Sequence, residues 1–409
     1  MLSCSLQFDP AHPAWADIPP RPGVFALFGA DPKAEPYISR TPNLRNRLRR
    51  LLDARPDQSK RLRLAQSTAR IEYSLTGSDF EALLLLYHAS SAAFGDRARK
   101  RLHLRPPTLL RMLMENPYPR VYVTNKVTKK AFSNLFGPWP SRAAAENFLE
   151  AMLNLFELRR CIEELHPDPA FPGCVYSEMK KCMAPCFKGC TDERYAQEAQ
   201  AVRVFLATHG ESLIAELSEQ RDQASAALDF EKAAEIHARL TRVESASALM
   251  PPAVRALHDL NGVIVQPSGD PEHVALFVLT PGCLSGPVLY SVAGMRHQNE
   301  QSGSSSLFAH PVAIEAIPLD ESGAPAVKLA ARDELESRLD NALAGLQAHA
   351  EENSGAQSTA DHLSLFVRWY YRPQTKRVGE ICLAKHDGEL PRKPILRAIS
   401  RVHQKSLVD

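Results

Sequence analysis

Three things are scarce in this 409-residue chain: cysteine, long apolar runs, and any sign of an export leader. Eight cysteines are too few at this length for a disulfide scaffold. The longest apolar runs, such as Ala82–Tyr87 and Val274–Leu279, fall far short of the roughly 20 residues a membrane helix needs. The N-terminus has no basic stretch followed by an apolar one, which argues against export. No internal repeat is visible. The expectation is a cytoplasmic protein with no membrane partner. With 44% hydrophobic and 23% charged residues, the composition is globular, and the length suits two to four domains at roughly 150 residues each.

Charge is unevenly spread. Residues 1–150 hold 23 Lys/Arg against 13 Asp/Glu, residues 151–350 hold 16 against 27, and residues 351–409 hold 10 against 7. A basic head beside an acidic middle suits a polyanion-binding module joined to a different body. A merely solvated basic face is the competing reading.

The pattern of elements is mixed. Gly23–Gly29 and Pro36–Arg40 read as a hairpin, with Ala30–Glu35 as its turn. Asn43–Leu52 reads as a helix with Leu44, Leu48, Leu51 and Leu52 on one face and arginines elsewhere. Arg70–Thr76 and Arg120–Thr124 read as strands. Ser78 or Asp79 and Ser141 read as helix caps, the latter opening a helix that carries Phe148, Leu149, Leu153 and Phe156. Phe136–Pro140 is expected to be a turn. Two long helical stretches follow, about Asp192–Ala226 with a break near Gly210, and about Asp229–Ala248, before a boundary at Pro251-Pro252. Strands are expected at Gly262–Pro267, His273–Leu279 and Val288–Val292, a loop at Gln301–Ser306, and helices at Ala326–Ala348, Asp361–Tyr371 and Lys393–Lys405.

The cysteines are the most specific chemical signal. Cys161, Cys174, Cys182, Cys186 and Cys190 are separated by 12, 7, 3 and 3 residues. Thiolates select zinc, copper(I) or iron–sulfur clusters. Zinc knuckles favour paired short C-x2–4-C spacings, whereas the longer gap with Pro172 and Pro185 suits a loop around a four-iron cubane. Unliganded cysteines are the plainer alternative. Asp229 can cap a helix whose Ala233, Ile236, Leu240 and Val243 form a stripe. That segment is either a structural hairpin or a docking surface for a partner's helices. Arginines around Arg47 could hold phosphates through bidentate hydrogen bonds.

Together these residues resemble the UvrC family of bacterial nucleotide-excision repair nucleases. Gly23-Val24-Phe25 and Tyr37-Ile38-Ser39 stand where that family has its G-I/V-Y and Y-I-G pair. Asn43–Leu48 and Thr76–Leu85 are similar to its next two helices, and Phe136–Pro140, Leu158-Arg159-Arg160-Cys161 and Cys182-Met183-Ala184-Pro185-Cys186 to its linker. Asp229–Leu240 looks like the UVR motif. The resemblance runs from about Pro20 to Ala248 and more faintly beyond. It implies an α+β multidomain protein: a GIY-YIG-like mixed α/β domain over 1–100, a cysteine-rich linker over 101–190, a helical UVR hairpin over 191–250, and a small α/β region over 251–409. It implies DNA and a UvrB-like helicase as partners, with Phe230, Ala233, Ala234, Ile236 and Leu240 as the docking residues. It implies a [4Fe–4S] cluster on Cys161, Cys174, Cys182 and Cys186, with Cys190 as the alternate ligand.

Departures from the family pattern fall on its cutting centre. The first tyrosine is Phe25, the Y-I-G glycine is Ser39, the lysine is Arg40, the tyrosine after the arginine helix is Leu51, and the metal-binding glutamate position is Leu86. Tyr37 and Arg47 remain. Glu81 and His88 lie about 140° and about 200° around the helix from Leu86, so neither replaces the lost carboxylate. No catalytic magnesium or manganese is expected. The stretches Leu260–Val265 and Leu363–Tyr371 resemble the approach to the family's RNase H-like second nuclease, for which the chain is expected to have no room. The reading is a UvrC-like, non-cutting accessory protein that binds DNA through Arg40, Arg45, Arg47, Arg49 and Arg50. Its rivals are a working metal-dependent endonuclease and an iron–sulfur redox-responsive DNA binder.

Overall fold

A computed structural model describes residues 2–12, 14–31, 33–53, 64–295, 332–352, 355–385 and 388–408. The expected loop Gln301–Ser306 and the start of the expected helix Ala326–Ala348 lie outside them. Among the described residues the architecture is mixed α/β, with helices around three four-stranded antiparallel sheets.

The first sheet holds β1 (Cys4–Gln7), β2 (Gly23–Gly29), β3 (Tyr37–Thr41) and β4 (Thr68–Leu75) in the order β1-β4-β2-β3. Helix α1 (Leu44–Leu52) is capped by Asn43, whose side chain accepts from the Asn46 amide at 2.9 Å. It buries Leu44, Leu48 and Leu52, while Leu51 stays half-exposed. Gly23 lets this packing close, because a Cβ there would sit 2.4 Å from the Ser74 carbonyl oxygen and 2.6 Å from Leu44 Cδ1. After the short α2 (Leu64–Ser67) and β4 comes α3 (Asp79–Phe94), capped by Ser78, and then α4 (Arg97–Arg101).

The second sheet holds β5 (Thr108–Met112), β6 (Val121–Thr124), β7 (Leu135–Trp139) and β8 (Arg255–Ala256), in the order β6-β5-β7-β8. Residues Phe136–Pro140 are therefore not a turn, as their Gly and Pro content predicts. Most of them form a fully buried strand. The sheet accommodates Pro138, which has no amide to donate, by a register shift: β5 pairs Thr108 with Trp139 and then Leu110 with Phe136. Gly137 fits because a side chain would meet Leu109 Cδ2 at 2.5 Å. Helix α5 (Arg142–Leu153) starts at Ser141, whose Oγ accepts from Ala144 N at 3.1 Å. Then come α6 (Val175–Glu178), α7 (Asp192–Ala207), α8 (Glu211–Ala226) and α9 (Phe230–Ala248), with the α7–α8 break at Gly210 in a left-handed conformation.

The third sheet comprises β9 (Gly262–Pro267), β10 (His273–Thr280), β11 (Cys283–Ser291) and β12 (Glu380–Leu383), ordered β11-β10-β9-β12. Helices α10 (Arg332–Glu352) and α12 (Arg392–Val408) contribute Leu339, Leu343, Ile395 and Ile399 to the core on one face, where Val274, Leu276 and Val278 point. Ala275, Phe277 and Leu279 point into the opposite core, with Leu363 and Phe366 of α11 (Ala356–Tyr370) and Phe80, Leu83 and Leu84 of α3. Burial on both faces explains why Val274–Leu279 is an unbroken apolar run rather than an alternating one.

Candidate functional site

The five arginines of the first domain divide into engaged and available groups. Arg40 pairs with Asp79. Arg45 donates Nε to the Ile18 carbonyl at 2.7 Å and Nη2 to that of Ala16 at 3.2 Å, so it ties the segment before β2 to α1. Arg49 pairs with Asp53 one turn on, at 3.4 Å. Arg47 and Arg50 have no ion pair among the described residues. Of the five, these two are best placed to meet phosphates, and Arg45 is a structural tether.

At the positions that the resemblance sets against a cutting centre, Phe25 is completely buried, opposite Ser39 on β3 and Tyr73 on β4. Tyr37 is half-buried, its ring centroid 6.1 Å from that of Phe25. Glu81 is occupied in capping: its Oε2 accepts from Gly77 N at 2.7 Å, and Ser78 Oγ accepts from Glu81 N at 3.1 Å. Burial pushes the Glu81 carboxyl up, against the lowering pull of the Gly77 and Ser78 backbone amides.

In the cysteine-rich segment, Cys182 is the electrostatic neighbour of Cys161, Cys174 and Cys186, and burial together with those thiols pushes it up to about 11. Cys190 neighbours Cys186 alone among the five, beside Asp192 and Arg194, and leans on the middle core. Arg159 organises the front of the loop. Only 2% exposed, it donates Nε to the Tyr118 carbonyl at 2.9 Å and Nη1 to that of Glu163 at 2.9 Å, and lies 3.7 Å from Cys161 Sγ. Tyr195 holds the Arg159 backbone, accepting its amide at 3.0 Å while donating to the Pro119 carbonyl at 2.8 Å. The Ala184 amide points at Cys182 Sγ from 3.4 Å. No three His, Cys, Asp or Glu side chains among the described residues are grouped to hold an ion as placed.

The α8–α9 hairpin sorts its apolar residues by depth. Asp229 caps α9, accepting from Lys232 N at 3.1 Å. Leu240 and Val243 are buried in the middle core, Ala233 and Ile236 are half-buried, and Ala234 is exposed. Leu240 therefore belongs to the hairpin's own interior and cannot also be docking surface, as its place in the stripe had suggested. At the tip the order reverses: Phe230 is 66% exposed and Leu228 73%. Leu228 also has a φ of +59°, the left-handed region that glycine normally fills. Sequence reasoning missed Leu228, since nothing in a lone leucine announces a positive φ.

A cysteine loop held by a buried arginine is thus followed by a helical hairpin with an exposed apolar tip. Residues 108–205 match the model of the UvrC/Cho excinuclease middle domain, and residues 211–246 match the UvrB/uvrC motif. The chain is 29% identical over 306 residues to the UvrABC system protein C of Ectopseudomonas mendocina (strain ymp), covering 72% of this chain and 45% of that protein. To that of Moorella thermoacetica it is 27% identical over 274 residues, covering 66% and 44%. The chain thus matches less than half the length of these relatives. No solved structure matches. Over these segments the chain is similar to proteins of the UvrC family. No helix among the described residues is long and apolar enough to cross a membrane.

Proposed function

We propose that this protein binds DNA and a UvrB-like helicase without cutting, as an accessory factor in nucleotide-excision repair. The observation that carries the reading is the hairpin tip: Leu228 and Phe230 stand exposed inside a segment that matches the UvrB/uvrC motif. Exposed large apolar groups held on a strained backbone cost stability in the free protein, so a partner's surface is their natural destination. Residues 1–100 serve as a degenerate GIY-YIG-like head, 101–190 as the linker, 191–250 as the docking hairpin, and 251–409 as an α/β region sharing core with the head. The non-cutting role follows from Phe25, which has no hydroxyl to offer and is sealed in the core, and from Leu86, which has no carboxylate.

Cys161, Cys174, Cys182 and Cys186 would hold a [4Fe–4S] cluster. The donors fit by type, since soft thiolates suit iron–sulfur centres. Cys182 has the other three as electrostatic neighbours whereas Cys190 has Cys186, which supports that set over one with Cys190, and buried Arg159 puts a cation beside an anionic centre. Such a cluster would staple three segments of the loop together.

The test uses the full chain with a purified UvrB-like helicase and damaged duplex. Expected results are a complex, no nicking with magnesium or manganese, and iron with sulfide in anaerobically purified protein. Metal-dependent nicking that disappears in Arg47→Ala would establish the working-nuclease reading instead. Stoichiometric zinc without iron would refute the cluster.

A further inference from the structure

A second gathering of cations lies away from α1. Arg40 on β3, Arg105 before β5 and Arg372 just after α11 all lie within electrostatic reach of Arg368 on α11, as does Asp79. Asp79 is bound on both sides: Arg40 takes one oxygen, and Arg372 Nη1 the other at 2.8 Å. Arg368 donates Nη2 to the His103 carbonyl at 3.1 Å and has no ion pair among the described residues. The Arg105 side chain has neither a hydrogen bond nor an ion pair among them. Burial, and then the three neighbouring guanidinium groups, pull the Arg368 pKa down, so the cluster is under repulsion that an anion would relieve.

Beside the cluster a cleft of about 530 Å³ opens between the 103–108 link, the start of α5 and α11. Arg105, Arg142 and Arg368 line it, with Ser141, Ser364 and Trp139. Arg142 is neutralised by Glu146 at 2.7 Å. Arg105 and Arg368 are left as cations facing the cleft without a carboxylate partner. The N-terminus of the twelve-residue α5 opens on the same space, adding its partial positive charge.

We propose that this cleft grips a phosphate of a nucleic-acid backbone between Arg105 and Arg368, a site that deepens the DNA-binding reading above and rests on it. Guanidinium groups match phosphate bidentately. A lone phosphate would occupy two of the four arginines. The other two share the Asp79 carboxylate and keep one net positive charge between them, which carries the positive surface onward to β3. Contacts of this kind position DNA without reading its sequence.

Fluorescence anisotropy of labelled duplex against the full chain, over a series of salt concentrations, tests this. The double variant Arg105→Ala/Arg368→Ala should weaken binding at least about tenfold, equally on unrelated sequences. Its log–log salt slope should fall by about 0.9, the value for one lost phosphate contact on duplex DNA. Because Arg368 also holds the His103 carbonyl, Arg105→Glu provides the second arm: it breaks no contact among the described residues and should lose affinity with an unchanged melting temperature. Wild-type binding that neither variant weakens overturns the cleft and leaves DNA binding standing. Absence of wild-type DNA binding overturns both. In that event, inorganic phosphate that raises the melting temperature of the wild type but not of Arg105→Glu would assign the cleft to a free phosphate instead.

Discussion

The ring of Phe80 meets that of Phe277 edge-on, with centroids 5.0 Å apart and planes at 86°. Phe80 opens α3 behind the first sheet, and Phe277 sits in β10 of the third. The two also share a core with Trp369, whose ring centroid lies 5.0 Å from that of Phe80. The head and the C-terminal region are thus packed as one body, with the middle sheet's Leu109 and Leu135 in the same core. Phe80→Ala removes a fully packed aromatic and should cost about 3–5 kcal/mol, lowering one cooperative urea transition. Two transitions, with only the weaker one moved, would show that the head folds on its own and contradict the shared core.

The same junction sets a demand on Gly77. A Cβ there would lie 2.3 Å from the Ser268 carbonyl carbon, 2.4 Å from the Pro267 oxygen and 2.5 Å from Gly269 N. All three are backbone atoms of the β9–β10 turn, which no side-chain rotation can relieve. Gly77→Ala should therefore destabilise by about 1–3 kcal/mol or more, as overpacking does. A thermal melt checks it. An unmoved midpoint would mean the head and the β9–β10 turn do not meet this closely in solution.

What the sequence disclosed, and what it hid, divides along local and non-local lines. The caps at Ser78, Ser141 and Asp229 were legible because each is a short-range bond between one side chain and an amide three residues on, whereas Asn43, read as part of its helix, is a cap of the same kind. The run Val274–Leu279 was legible as a strand, though not that both its faces are buried. Phe136–Pro140 misled because local turn chemistry was overridden by a register shift against β5. Leu240 misled because helical spacing identifies an apolar stripe but not what covers it. The pairing of Arg372 with Asp79 spans 293 positions, and no local pattern could reveal it.

Buried His362 makes the protein acid-sensitive. Its Nδ1 accepts from the Leu284 amide at 3.1 Å, and burial, with His88 nearby, holds it down to about 3. The folded state therefore binds fewer protons than the unfolded chain, where histidine titrates near 6.5. Its contribution is fully present above pH 6.5 or so and is lost as pH falls toward 3, at up to about 1.4 kcal/mol per pH unit. Urea midpoints between pH 7 and pH 5 should fall in the wild type. They should fall less steeply in His362→Gln, whose amide oxygen can still accept the Leu284 bond. Equal slopes in the two proteins would assign the acid sensitivity elsewhere.

The hairpin tip separates stability from docking. Phe230 is 66% exposed, so Phe230→Ala removes little core and should barely move the melting temperature. If the ring anchors a partner, its loss should cost about 2 kcal/mol of binding, roughly thirtyfold in affinity. Leu228 sharpens the comparison. Its left-handed backbone costs a non-glycine residue roughly 1–2 kcal/mol, against about 0.5–1 kcal/mol of extra chain entropy that glycine loses on folding. Leu228→Gly should thus leave the free protein as stable as the wild type or slightly more so, while removing an exposed apolar side chain from the docking surface. Calorimetric titration with the purified UvrB-like helicase, beside melting curves of the free variants, reads both effects. Stability gained with affinity lost is the signature of a strained tip kept for a partner; affinity unchanged in both variants would move the docking site off the hairpin.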